Sequence, residues 1–127
     1  MNGAVVFPPE RQGRAPPPDL IAQREQLADA VRRGVWQTAL PPAAAVLGQC
    51  RVLRFRPERE VKGYVLHFHG GGFRIGAPEM VGPFALALAR RCGVEVVVPQ
   101  YRLAPENPFP AGLADGQTCL RALREEM

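Results

Sequence analysis

The chain is predicted to be an α/β protein with a mostly parallel sheet flanked by helices, and three observations point there. "VEVVVP", residues 94–99, is a continuous β-branched run of the kind that forms a strand covered on both faces. "YVLHFHGGG", residues 64–72, passes from an apolar run straight into glycines, and a helical stretch follows. Strand and helix patterns then alternate to residue 127, which is the order of a layered sandwich.

Residues 1–18, rich in Pro and Arg, lack a period and read as an extended arm. Asp19 is placed to N-cap a helix from Leu20 to Gly34, with Leu20, Ile21, Leu27, Ala28, Val31 and Val35 on one side. Arg24 interrupts that side, so it must find an acidic partner or snorkel past the edge. "LPPAAAVLG", residues 40–48, reads as a loop with a small apolar patch. "CRVLRF" and "GYVLHF" read as two strands joined through the charged "RPEREVK" as a hairpin. "PFALALARRCG" opens near Pro83 and stops at Gly93, Pro first and Gly last as a helix prefers. The spacing of Leu113, Leu120 and Leu123 gives a closing helix. The expected division is residues 1–48 as arm and cap helix and residues 49–127 as an incomplete core domain.

Composition narrows the function classes. With 46% hydrophobic and 22% charged residues, the chain is an ordinary globular domain of modest core. The +4 net charge comes almost wholly from scattered arginines, and the densest group, residues 50–62, alternates bases with apolar residues. A solvated strand face explains it better than a nucleic-acid stripe. Cys50, Cys92 and Cys119 share no CxxC spacing and read as core thiols, not as a disulfide framework or zinc site. Without a signal-peptide pattern or a membrane-length apolar run, the expected location is cytoplasmic.

The glycines at 70–72 then need a reason. A phosphate cradle fails on spacing: GxGxxG from Gly70 ends on Ile75, and a P-loop from Gly71 puts Ala77 and Pro78 where Lys and Ser/Thr belong. His67 and His69 share a strand face, but no third ligand lies nearby in sequence, so no metal or cofactor is expected. An oxyanion hole remains. Bare backbone N–H groups stabilise the anion of a tetrahedral intermediate, and glycines remove the β-carbons that would block its approach. Losing one such donor costs about 3–4 kcal/mol of transition-state stabilisation, and three glycines exceed what a turn needs.

"HGGGF" at 69–73, "YRLAPE" at 101–106 and "PFPAGLAD" at 108–115 occur together and in this order. In this the chain resembles the front part of the hormone-sensitive-lipase-like carboxylesterases, bacterial family IV, with an α/β-hydrolase fold. The resemblance implies that the amides of Gly71 and Gly72 are oxyanion donors, that His69 braces the loop, and that Gly70 and Phe73 meet the substrate, a small carboxylic ester. It implies structural roles for Tyr101, Arg102 and Glu106, with Arg102 paired to Glu106 or Asp115. Gln100 departs from the acidic or amide residue common there.

The chain has no serine, and its only histidines are His67 and His69. A nucleophile, base and acid acting together are therefore lacking, and Thr38 and Thr118 are in the wrong contexts to substitute. The favoured expectation is the N-terminal fragment of a serine esterase, inactive alone, that forms a homo-oligomer or associates with its missing C-terminal half. The alternative is an inactive remnant serving as a binding module. Neither a nucleic-acid nor a membrane partner is expected.

Overall fold

The computed structural model describes residues 6–127; the first five residues of the expected arm lie outside them. Three helices and four strands follow in chain order: α1 (Pro18–Arg32), β1 (Ala43–Leu47), β2 (Cys50–Phe55), β3 (Tyr64–Leu66), α2 (Gly82–Cys92), β4 (Glu95–Pro99) and α3 (Ala111–Glu126). They form an α/β layer structure, with a 3-10 turn at Pro78–Val81 leading into α2.

The sheet order is β1-β2-β4-β3. β3 and β4 are parallel, joined over the sheet by α2, whereas β1–β2 and β2–β4 are antiparallel. The sheet is therefore mixed, and the cause is an N-terminal hairpin. The segment expected as a loop at residues 40–48 supplies its first strand, with Leu47 opposite Cys50 across a turn at Gly48, whose φ is 62°. Ala and Val on a half-covered edge satisfy strand sterics although they carry little period-2 signal. The hairpin expected between the strands at 50–55 and 63–68 does not form. β4 inserts between them, with Phe55 opposite Val96 on one side and Val65 opposite Val96 on the other.

Alternation along the strands builds two cores. Leu53, Phe55, Val96 and Val98 face Ala85, Leu86 and Ala89 of α2. Cys50, Val52 and Val97 face Cys119 and Leu123 of α3. All of β4 is buried, as its unbroken β-branched run implies. α2 ends at Gly93, whose φ of 67° gives the left-handed cap that only glycine takes without strain.

Some expectations change in detail. Asp19 lies inside the first turn of α1, because Pro18 takes the first helical position, where proline is preorganised, and leaves Pro17 as the cap. Cys92 is exposed, while Cys50 and Cys119 are buried. Leu113 and Leu120, whose spacing with Leu123 predicts the helix, stand 46% exposed because α3 packs through Ala111, Gly116, Cys119 and Leu123. The basic strand at 50–62 is not wholly solvated. Arg54 is only 8% exposed and is held by Glu95, itself 2% exposed, and by Glu126 at the end of α3. Those carboxylates raise the Arg54 guanidinium further above its usual range, Glu126 most.

Candidate functional site

β3 delivers the glycine loop at the end of the sheet. His67 still belongs to the ladder, its amide donating to Val97 O at 2.9 Å and its ring lying 5.4 Å from that of Phe84. His69 turns inward and is 3% exposed. Its ring stacks on Tyr101 with centroids 4.4 Å apart, and its Nδ1 lies 2.7 Å from the Gly70 carbonyl, which accepts its proton. The Tyr101 hydroxyl donates to the His69 carbonyl at 2.6 Å. One histidine is thus fixed by its ring face, its ring nitrogen and its own carbonyl.

The turn after it is closed by backbone bonds from Arg74 N and Ile75 N to Gly71 O, at 3.1 and 3.2 Å. Gly71 takes φ 133°, and a β-carbon there would lie 1.7 Å from Ile75 O. Gly72 (φ 63°) and Phe73 (φ 63°) continue in the left-handed region, Phe73 being the one non-glycine residue among those described that does so. The strain at Phe73 is offset by a bond from Ala104 N to Phe73 O at 2.8 Å. Among the described residues, no backbone or side-chain hydrogen bond is donated by the amides of Gly70, Gly71, Gly72 or Phe73. All four residues are exposed.

Beside the loop lies a hollow of about 410 Å³ walled by Leu66, Phe68, Gly72, Phe73, Leu113 and Leu120. Gly72 and Phe73 border it directly, whereas Gly71 sits one residue back with its carbonyl committed to the turn. Its walls are chiefly apolar, which is what an acyl or alkyl group needs.

The residues around this loop include several that carry no motif signal. Gly76, whose φ is 122°, lets the chain pass beneath His69, since a β-carbon there would lie 2.4 Å from Nδ1. Arg24, the interruption in the apolar side of α1, reaches Arg74 O at 2.9 Å, Ala104 O at 2.8 Å and Glu106 Oε1 at 3.0 Å. It thereby ties α1 to both loops of the site, and it holds the Glu106 carboxyl below its usual range. Arg102 pairs with Asp115 and with Glu10 of the arm, so of its two expected partners Asp115 is the one engaged. Among the described residues, no three His, Cys, Asp or Glu side chains gather as a metal site requires. No helix there is long and apolar enough to cross a membrane.

Burial is the main cause that lowers the His69 pKa from its ordinary 6.5; the Gly70 carbonyl opposes it. The unfolded chain therefore binds a proton near pH 6.5 that the folded chain resists, so stability is complete above that value and is lost as pH falls through the depressed folded one. The carboxyls of Glu106 and Glu126, lowered by Arg24 and Arg54, act only below their ordinary 4.5. Urea midpoints measured against pH should begin to drop just below 6.5 in the natural chain and not in His69→Gln. Parallel curves for the two would contradict this.

A family model described as alpha/beta hydrolase fold matches residues 65–127, which include the glycine loop and α3. An acetyl-hydrolase of Streptomyces hygroscopicus is 31% identical over 84% of this chain and 36% of its own length. A carboxylesterase of Mycobacterium tuberculosis is 43% identical over 48% of this chain and 19% of its own. Among solved structures, a hormone-sensitive lipase from a metagenome library superposes with a TM-score of 0.75 at 29% identity, covering 89% of this chain and 37% of that one. A hyperthermophilic esterase of the archaeon Pyrobaculum calidifontis gives 0.73 at 27% identity, covering 85% and 38%. The chain carries part of an α/β-hydrolase fold and is similar to hormone-sensitive-lipase-like esterases; it spans 36% of the length of the acetyl-hydrolase and 37–38% of the two solved structures.

Proposed function

We propose that this chain supplies the oxyanion-binding part of a carboxylic ester hydrolase whose nucleophile, base and acid come from polypeptide beyond these 127 residues. The observation that carries this reading is the set of undonated amides at Gly71 and Gly72 beside an apolar hollow. An ester lying with its acyl group against Phe68, Phe73 and Leu120 would direct its carbonyl oxygen at those N–H groups. As a nucleophile adds, the carbonyl oxygen gains full negative charge, and fixed donors bind it more strongly than they bind the starting ester.

His69 has a bracing role in this scheme. Its proton is committed to Gly70 O, its Nε2 is buried without a partner, and its ring is clamped on Tyr101. A base needs a free ring nitrogen facing the substrate; His69 borders the hollow, but its Nδ1 is committed to Gly70 O and its Nε2 is buried. Phe73 and Gly70 would border the substrate, and α1, tied to Arg74 by Arg24, would roof the entrance.

The missing machinery has a place to dock. β3 is one of the two edge strands of the sheet, and beside it stand Phe68, Leu113 and Leu120, each between 46% and 47% exposed. β4 lies between two neighbours, so the edge next to it is carried by the three-residue β3. A further strand on that edge would cover these apolar side chains and bring its own residues to the hollow.

The test is hydrolysis of short acyl nitrophenyl esters. The purified chain alone is expected to give no turnover, since no serine is present to form an acyl-enzyme. Combined with polypeptide bearing a nucleophile, acid and base, it should turn over, and a serine-directed inhibitor should abolish the activity. Turnover by the chain alone would overturn the proposal.

A further inference from the structure

Cys50 and Cys119 are far apart in sequence, yet they meet under α3. Cys50 opens β2 opposite Leu47, and the Cys119 thiol lies 3.8 Å from the Leu47 carbonyl. Both side chains belong to one core cluster between the sheet and α3, at 6% and 0% exposure; the Cys50 thiol donates to Gln100 O at 3.1 Å. Neither is part of the glycine loop or its hollow.

The two sulfurs are not equivalent. Cys50 also forms the wall of a second hollow, about 550 Å³, bordered by Glu10, Gln49, Arg102, Asp115 and Thr118, so a small polar molecule can reach it. Cys119 is sealed behind it. The neighbouring Cys119 draws the Cys50 thiol below its ordinary range, while Cys50 together with burial pushes Cys119 up. A thiol at the edge of a hollow beside a second thiol sealed in the core is the arrangement of an attacking and a resolving cysteine.

We propose that Cys50 and Cys119 form a peroxide-sensitive dithiol that closes to a disulfide within the folded chain. The Cys50 thiolate attacks one oxygen of a hydroperoxide, the O–O bond breaks, and hydroxide leaves and takes up a proton as water. Sulfenic acid remains on Cys50. The Cys119 sulfur then attacks the Cys50 sulfur, the S–O bond breaks, and a second water leaves with the Cys119 proton. Two thiols and one hydrogen peroxide become one disulfide and two waters, with two electrons passing from sulfur to oxygen. The bond would fasten α3 to the start of β2, closing a long loop that contains the whole glycine-loop segment.

The exposed Cys92 would cross-link separate chains, so the experiment uses Cys92→Ser beside the natural chain. Each is treated with hydrogen peroxide, quenched, alkylated under denaturing conditions and mapped by peptide mass. The expected product joins the peptides of Cys50 and Cys119, is lost on treatment with dithiothreitol, and raises the urea midpoint of Cys92→Ser. In Cys119→Ala the sulfenic acid on Cys50 should persist and be captured by a cyclic dicarbonyl reagent. The same treatment in urea should lose the preference for this pair, since the fold brings the two together. The proposal is overturned if both thiols remain fully alkylated while Cys92 oxidises. An equal yield of the pair in urea would overturn it as well.

Discussion

Glu95→Ala is expected to destabilise the chain by about 3–5 kcal/mol, the cost of leaving a buried charge without its partner. That is a large part of the ~5–15 kcal/mol that holds a typical domain folded. Glu95 stands at the first position of the central strand, where it accepts from Arg54 and, at 2.8 Å, from Arg56 Nε. Arg54 in turn reaches both oxygens of Glu126, at 3.0 and 2.7 Å, so the pair links β2, β4 and the end of α3. Removing Glu95 leaves Arg54 sealed in the sheet with one carboxylate that is itself 39% exposed. Replacing both partners together, with Arg54→Met and Glu95→Leu, should cost much less, because then no charge is stranded. Urea unfolding of the single and double variants separates the cases. A loss below about 1 kcal/mol in Glu95→Ala would mean that the pair behaves like a solvent-screened surface bridge.

The second large effect is expected at Gly71. Gly71→Ala puts a β-carbon 1.7 Å from Ile75 O at a φ of 133°, so the turn closed by Arg74 N and Ile75 N cannot keep its shape. Gly72→Ala meets no atom within 4 Å, and its φ of 63° is the ordinary left-handed well, so about 1 kcal/mol of backbone strain is the expected cost. In a catalytically complete protein, Gly71→Ala should lower kcat by about 10²–10³, the effect of losing one oxyanion donor. Turnover by Gly71→Ala equal to that of the unsubstituted protein would show that the loop contributes no donor through this residue.

Much of this was readable from the amino acids, and the reasons differ by element. The central strand β4 announced itself because burial on both faces demands an unbroken apolar run, and α2 because proline and glycine mark its two ends. β1 gave no comparable signal. Its alanines fit a strand, a helix or a loop, and pairing with β2 decides among them. The hairpin partner of β2 was misread for a related reason: adjacency in sequence suggests pairing, but insertion of β4 depends on the crossover through α2, which no local pattern encodes. At the site, the glycines were legible as a run without side chains. The supports were not: Gly76 gave a sign only as an isolated glycine, and Arg24 only as a charge on an otherwise apolar helix side. Both act through tertiary contacts with residues distant in the chain or folded back over it.

Amide hydrogen exchange, resolved by residue, tests the central claim most directly. Gly93 N donates to Ala89 O at 2.9 Å and serves as the internal reference, a protected glycine in the same molecule. The amides of Gly71 and Gly72 should exchange close to the rate of an unprotected peptide while Gly93 is slowed by orders of magnitude. Protection at both positions comparable to that of Gly93 would mean that their N–H groups are already bonded within the protein, with nothing left to receive an oxyanion.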